Sequence, residues 1–240
     1  MLTPQECAEA AAPHVDRLRI ALATGTKARL LEETAAHGLA EGSSFVLGML
    51  RNTLPDRAVA LTDLQRVFTY QAAMLAPALD ALRAAGLIHV ADRTLKLTPA
   101  GATLIGRFHE VSGSLADQLW AGRDGDVTLA LDLTRRALAA HPPTGGSYAV
   151  LAPPYEPTGA TPAARLAEHL SSVRFHRFDA HVDAWTGRGL TVDQLPALDD
   201  EQRAAIEADT NQRNGRLWDG LDGSERGALV AVLASLPPSS

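Results

Sequence analysis

Hydrophobic residues recur at helical spacing over most of this chain, and only one short stretch has the character of paired strands. Leu18, Ala21 and Leu22 mark a first helix within positions 15–37, with an interruption expected near Thr24-Gly25-Thr26. Ser43 or Ser44 is placed to cap a second helix through Phe45, Val46, Met49 and Leu50, and Pro55 to close it. From Leu61 the pattern reads helix, helix, hairpin: the second helix covers about positions 72–85, and strands at 87–90 and 95–97 are joined through Asp92-Arg93, a connection short enough for a tight turn. Thr98 or Pro99 then opens a long helix through Leu104, Phe108, Val111, Leu115 and Leu119 to Trp120, with Pro99 suited to its first turn. Gly122-Arg123-Asp124-Gly125 breaks the chain, and helical spacing resumes at 127–139, 162–186, 191–195, 199–218 and 224–236. Positions 141–162 hold Pro142-Pro143, Gly145-Gly146, Pro153-Pro154 and Pro157, too many breakers for regular structure, and read as a surface loop or lid. The expected architecture is mainly α in two parts, residues 1–122 containing the hairpin and residues 123–240 forming an α-helical C-terminal domain.

In the hairpin region, Leu79, Leu82 and Leu87 are expected to face a small core, and Gly86 to end the preceding helix in a left-handed turn. That is the pattern of a winged helix-turn-helix with a short two-stranded wing. Ala81-Leu-Arg-Ala-Ala-Gly-Leu-Ile-His89 followed by Leu95-Lys-Leu-Thr-Pro-Ala-Gly101 resembles the end of the recognition helix, the wing and the next helix of MarR-type transcriptional regulators. The resemblance implies binding to double-stranded DNA, a homodimer built by the flanking helices, and a small effector near the junction. The same Leu-xxx-Gly-Leu and Leu-Thr-xx-Gly punctuation also resembles the winged-helix dimerisation domain that precedes the catalytic domain of many small-molecule O-methyltransferases and binds no DNA. This second likeness implies a winged helix used only for dimerisation, with a ligand-binding or enzymatic pocket in the C-terminal helices.

Base edges need amides or guanidinium forks, and phosphates need cations or hydroxyls. In this stretch those are Arg66, Gln71 and Arg83 on the helices and Arg93, Thr94 and Lys96 on the wing. Positions 61–100 hold four basic residues (Arg66, Arg83, Arg93, Lys96) against three acidic ones (Asp63, Asp80, Asp92), a weak electrostatic footprint.

A second constellation lies in the helix over 162–186. Leu166, Leu170 and Val173 form one apolar line and Phe175, Phe178, Val182 and Trp185 another. Arg174, Arg177 and His181 fall between them and should be half-buried, whereas Glu168, Ser172, His176, Asp179 and Asp183 fall on the opposite face, expected to be wet. Buried cations must meet anions, because an unpaired buried charge costs several kcal/mol. Glu207 or Asp209 of the next helix would serve structurally; a small anionic ligand held by Arg174, Arg177 and His181, with Glu207 and Asn211 nearby, is the functional alternative.

Composition narrows the classes. With 46% hydrophobic residues and no membrane-length apolar run, the chain reads as a globular protein with no membrane partner. A net charge of −6 and a pI near 5.7 leave DNA binding to a local patch. The first residues lack the basic and apolar regions of a secretory signal, so the expected compartment is the cytoplasm. Cys7 is the only cysteine, which excludes an internal disulfide and a multi-cysteine metal site. No phosphate loop, dinucleotide fingerprint or paired nucleophile and base stands out, so no cofactor and no catalytic residue is assigned; His176, Asp179 and Asp183, with His169 near them, read as solvated groups rather than metal ligands.

Overall fold

The computed structural model describes residues 1–52 and 57–238, which form ten α-helices and one small antiparallel sheet. Thr3 caps α1 (Pro4–Ala35) by accepting from the Glu6 amide, while the Glu6 carboxylate accepts from the Thr3 amide. The helix does not break at Thr24-Gly25-Thr26. Thr26 turns its hydroxyl back to the Leu22 carbonyl, and a Cβ at Gly25 would lie 2.6 Å from a Leu115 methyl, so that glycine serves close helix packing instead of a turn. Nor do Ser43 and Ser44 cap α2 (Glu41–Leu50). Both are buried within it, and the Ser44 hydroxyl is 2.6 Å from that of Thr34. Pro55, expected to end this helix, lies outside the described residues.

The next elements run β1 (Val59–Ala60), α3 (Leu61–Val67), α4 (Ala72–Ala84), β2 (Ile88–Ala91) and β3 (Thr94–Leu97), with strand order β1-β3-β2. β1, two residues long, is too short to show a period in the sequence; it pairs through Val59 with Leu95. β2 and β3 pair from Ile88 with Leu97 to Ala91 with Thr94, and Asp92 and Arg93 both take positive φ, 49° and 58°. Two left-handed residues suit the right-handed twist of a two-residue hairpin. Gly86, at φ 69°, ends the helical segment as expected. A Cβ at Gly101 would fall 2.0 Å from the Leu87 carbonyl oxygen, so only glycine lets α5 (Pro99–Leu119) start against this unit. Leu64, Leu82, Leu87, Leu95 and Phe108 fill the small core, while Leu79 packs partly buried against it.

The remaining helices are α6 (Asp124–Ala140), α7 (Gly146–Leu151), α8 (Pro162–Thr186), α9 (Asp200–Gly215) and α10 (Gly223–Ser235). Their core takes in α1: Leu18 and Leu22 are buried with Trp120, Leu131, Leu170, Trp218 and Leu233. At about 2 kcal/mol for a buried leucine, this packing is the main force holding α1 to the C-terminal helices. α5 and α8 each serve both cores, α8 through Leu170 on one side and Phe175 on the other. Inside the segment read as a surface loop, α7 buries Tyr148, Val150 and Leu151. Gly145 and Gly146 turn the chain at positive φ, and the cap comes from afar: the Asp179 carboxylate accepts from the Ser147 and Tyr148 amides, and Asp63 accepts from Gly146. The cap is supplied from a distant helix, so the local sequence shows only its breakers. Among the described residues no helix is long and apolar enough to cross a membrane.

Candidate functional site

α4 is amphipathic along its length. Leu75, Ala78 and Leu82 point into the small core, and Gln71, Ala73, Ala76, Pro77, Asp80 and Arg83 are exposed. Arg83 lies 3.6 Å from Asp80, an exposed pair worth little. On the hairpin Arg93 and Lys96 are exposed, while Thr94 is half-buried and donates to the Asp92 carbonyl. Arg66 does not join these residues. Its side chain is only 29% accessible and its guanidinium pairs with Asp179 at 3.2 Å and with Asp183, fastening α3 to α8. Arg66→Ala should therefore destabilise the protein by about 1–2 kcal/mol in urea unfolding, the size expected for a partly buried ion pair; an unchanged midpoint would mean that the pair carries no such fastening.

The α8 cations also separate. Arg177 donates to Asn211 at 2.7 Å and pairs with Glu207, and His181 sits 3.2 Å from the Thr210 hydroxyl, so these two face α9. Arg174 faces α1 and pairs with Asp16 at 2.7 Å. Burial, first of all, lowers the His181 pKa. Asp209, the other carboxylate anticipated here, is taken by Arg188 and Arg213 at 2.7 and 2.8 Å. Arg174 and Arg177 thus meet carboxylates of the chain itself, and His181 a hydroxyl.

The face of α8 expected to be wet is largely buried. Ser172 and His176 are inside, and the Glu168 side chain is only 4% accessible. A helical wheel assumes one solvent side, but α8 packs against α1, α5, α6, α7 and α9 and has almost none. Around Glu168 the structure gathers residues that periodicity does not single out. Arg51 Nε donates to both carboxylate oxygens at 3.1 and 3.3 Å, and His109 Nδ1 lies 3.5 Å from one of them, with its Nε2 3.2 Å from the Arg51 carbonyl oxygen. Burial alone would raise the Glu168 pKa, but Arg51, then His109 and Arg19, outweigh it and bring it to about 2. The pairing of Arg51 with Glu168 across 117 residues has no local signature in the sequence.

Beside this cluster a cleft of 780 Å3 opens between α5 and the 155–161 segment. His109, Glu110, Ser114, Asp117, Tyr155 and Glu168 supply its polar wall, and the His109 and Tyr155 rings lie 5.2 Å apart. Its size and mixed lining suit a small organic ligand. A second cavity of 540 Å3 lies where α3 meets α7 and α8. His176 stands on its wall with its ring 4.8 Å from His141 and 5.0 Å from Tyr148, and its Nδ1 is 2.7 Å from the side-chain oxygen Oδ1 of Asn214. Among the described residues no group of three or more His, Cys, Asp or Glu is arranged to hold a metal. No known family, no curated protein and no solved structure matches this chain.

Proposed function

We propose that the chain is a winged helix-turn-helix transcriptional regulator of MarR-like type, a cytoplasmic homodimer that binds double-stranded DNA and responds to a small ligand held by its helical half. The observation that carries this reading is the open side of α4, where Gln71, Asp80 and Arg83 face solvent next in the chain to a hairpin that leaves Arg93 and Lys96 exposed. α4 would enter the major groove with Gln71 toward base edges, and the hairpin cations would lie on phosphate. With so few cations the salt dependence should be shallow, each phosphate contact adding about one to the slope of log K against log salt. Removing Arg93 and Lys96 together by alanine substitution should lower that slope by about two and weaken binding to a random-sequence duplex, as measured by fluorescence anisotropy. Absence of duplex binding at low salt would end this reading.

Specific observations favour a second one. The outward side of α4 is mostly alanine and proline, Arg66 is spent on α8, and a 780 Å3 cleft lies between α5 and the 155–161 segment of the C-terminal half. In this reading the winged helix only dimerises, and the C-terminal helices hold a ligand or a reaction. A dimer that ignores DNA but is stabilised by small organic molecules would select it.

A further inference from the structure

A third cavity, of 530 Å3, lies between α1 and α2. Leu30, Leu31, Phe45 and Met49 make its apolar wall, and two arginines, Arg19 and Arg51, reach it from the opposite chemistry. Both side chains are more than nine-tenths buried. Arg51 spends Nε on Glu168, and Arg19 spends one Nη on the Ala167 carbonyl at 3.1 Å. Their other guanidinium nitrogens bond to none of the described residues, and both side chains line the cavity.

Among the described residues the charges do not balance: one carboxylate, Glu168, faces two buried guanidiniums, while Asp16 is held by Arg174 and, at the rim, Glu41 by Lys27 at 2.7 Å. Burial, followed by the neighbouring Arg51, lowers the Arg19 pKa to about 9, which still leaves the group charged at neutral pH. A buried cation without its own anion is costly, and a planar fork of donors matches a carboxylate. We infer that the cavity between α1 and α2 binds a monocarboxylate with an apolar body, the carboxylate bridging Arg19 and Arg51 and the body lying along Leu30, Leu31, Phe45 and Met49. The site stands on α1 and α2 and is independent of whether α4 touches DNA.

The probes are decanoate, kept below micelle formation, decanol with the same tail and no charge, and inorganic phosphate with the charge and no tail. Calorimetric titration and thermal unfolding of the full chain should show decanoate binding and raising Tm, with decanol and phosphate each about tenfold weaker or worse. Arg19→Met should abolish the decanoate effect. Ala23→Trp provides a test that leaves the charges alone, because Ala23 is exposed on the cavity rim and a bulky ring there closes the mouth without entering the core; this variant should fold normally and lose decanoate binding. Equal binding of decanol or phosphate, no response to decanoate, or full decanoate binding by Ala23→Trp would each overturn the assignment.

Discussion

Replacing Glu168 with alanine is expected to remove about 3–5 kcal/mol of stability, the cost of leaving buried cations without their counter-charge. Arg51 loses the partner of its Nε, His109 loses the oxygen 3.5 Å from Nδ1, and Arg19 loses the nearest negative charge. For a domain held by about 5–15 kcal/mol this is a large fraction of the total. The position also joins elements: Arg51 follows α2, His109 sits on α5, Arg19 on α1 and Glu168 on α8. The loss should therefore appear as cooperative unfolding at lower urea, followed by circular dichroism, and not as local fraying. The control is apolar replacement of both partners. Arg51→Met with Glu168→Leu should recover part of the loss, since exchanging a buried pair for apolar groups is often close to neutral, though Arg19 keeps the recovery incomplete. A Glu168→Ala midpoint within about 0.5 kcal/mol of the parent would mean that the cluster carries no net stabilisation.

The same hub explains what could and could not be read from sequence. Periodicity found the helix-helix-hairpin order because its determinants are local: Leu82 and Leu87 bracket Gly86, and Asp92-Arg93 leaves room for only a tight turn. α8 was legible for the same reason and runs from Pro162 to Thr186 as expected, whereas α1 begins at Pro4, well ahead of the expected start at 15. The sequence reading failed wherever a distant partner decides the outcome. Gly25 looked like a break because its neighbour Leu115 is 90 positions away, and the 141–162 segment looked irregular because its cap is Asp179. Site residues divide in the same way. The rule that buried cations demand anions was sound, but Arg177 meets Glu207 and Arg174 meets Asp16, and the imbalance lies with Arg19 and Arg51, which carry no periodic signature.

This arrangement places the chemistry at the seam between the two cores. α5 and α8 belong to both, and the 780 Å3 cleft, the Glu168 cluster and the cavity between α1 and α2 all touch them or their immediate neighbours. A ligand bridging Arg19 and Arg51 would touch α1 and the end of α2 together, and so would couple to the angle between those two helices. Coupling of this kind requires only that the ligand favour one angle over another.

Acid should begin to destabilise this protein before ordinary carboxylates titrate. Burial, above the smaller effects of Asn214 and His141, lowers the His176 pKa from 6.5 to about 4, and burial likewise lowers those of His141, His169 and His181. A histidine whose folded pKa is depressed takes up its proton more readily in the unfolded chain, so the folded state loses stability as pH falls from about 6.5 toward 4 and is unaffected above that window. For His176 alone the loss by pH 4 is on the order of 3 kcal/mol, since each tenfold difference in proton affinity is worth about 1.4 kcal/mol. Glu168 adds a second loss of the same sign in a lower window. Its folded pKa of about 2 lies below the carboxylate's usual 4.5, so its contribution is complete above 4.5 and fades as pH drops through it toward 2. Urea unfolding from pH 8 to 4 should thus give a plateau followed by a steep decline beginning near 6.5, and the His176 ring protons in NMR should show no titration until close to pH 4. A midpoint near 6.5 for that ring would mean that the cavity wall between His141 and Tyr148 is open to water, and the acid lability would then have to arise elsewhere.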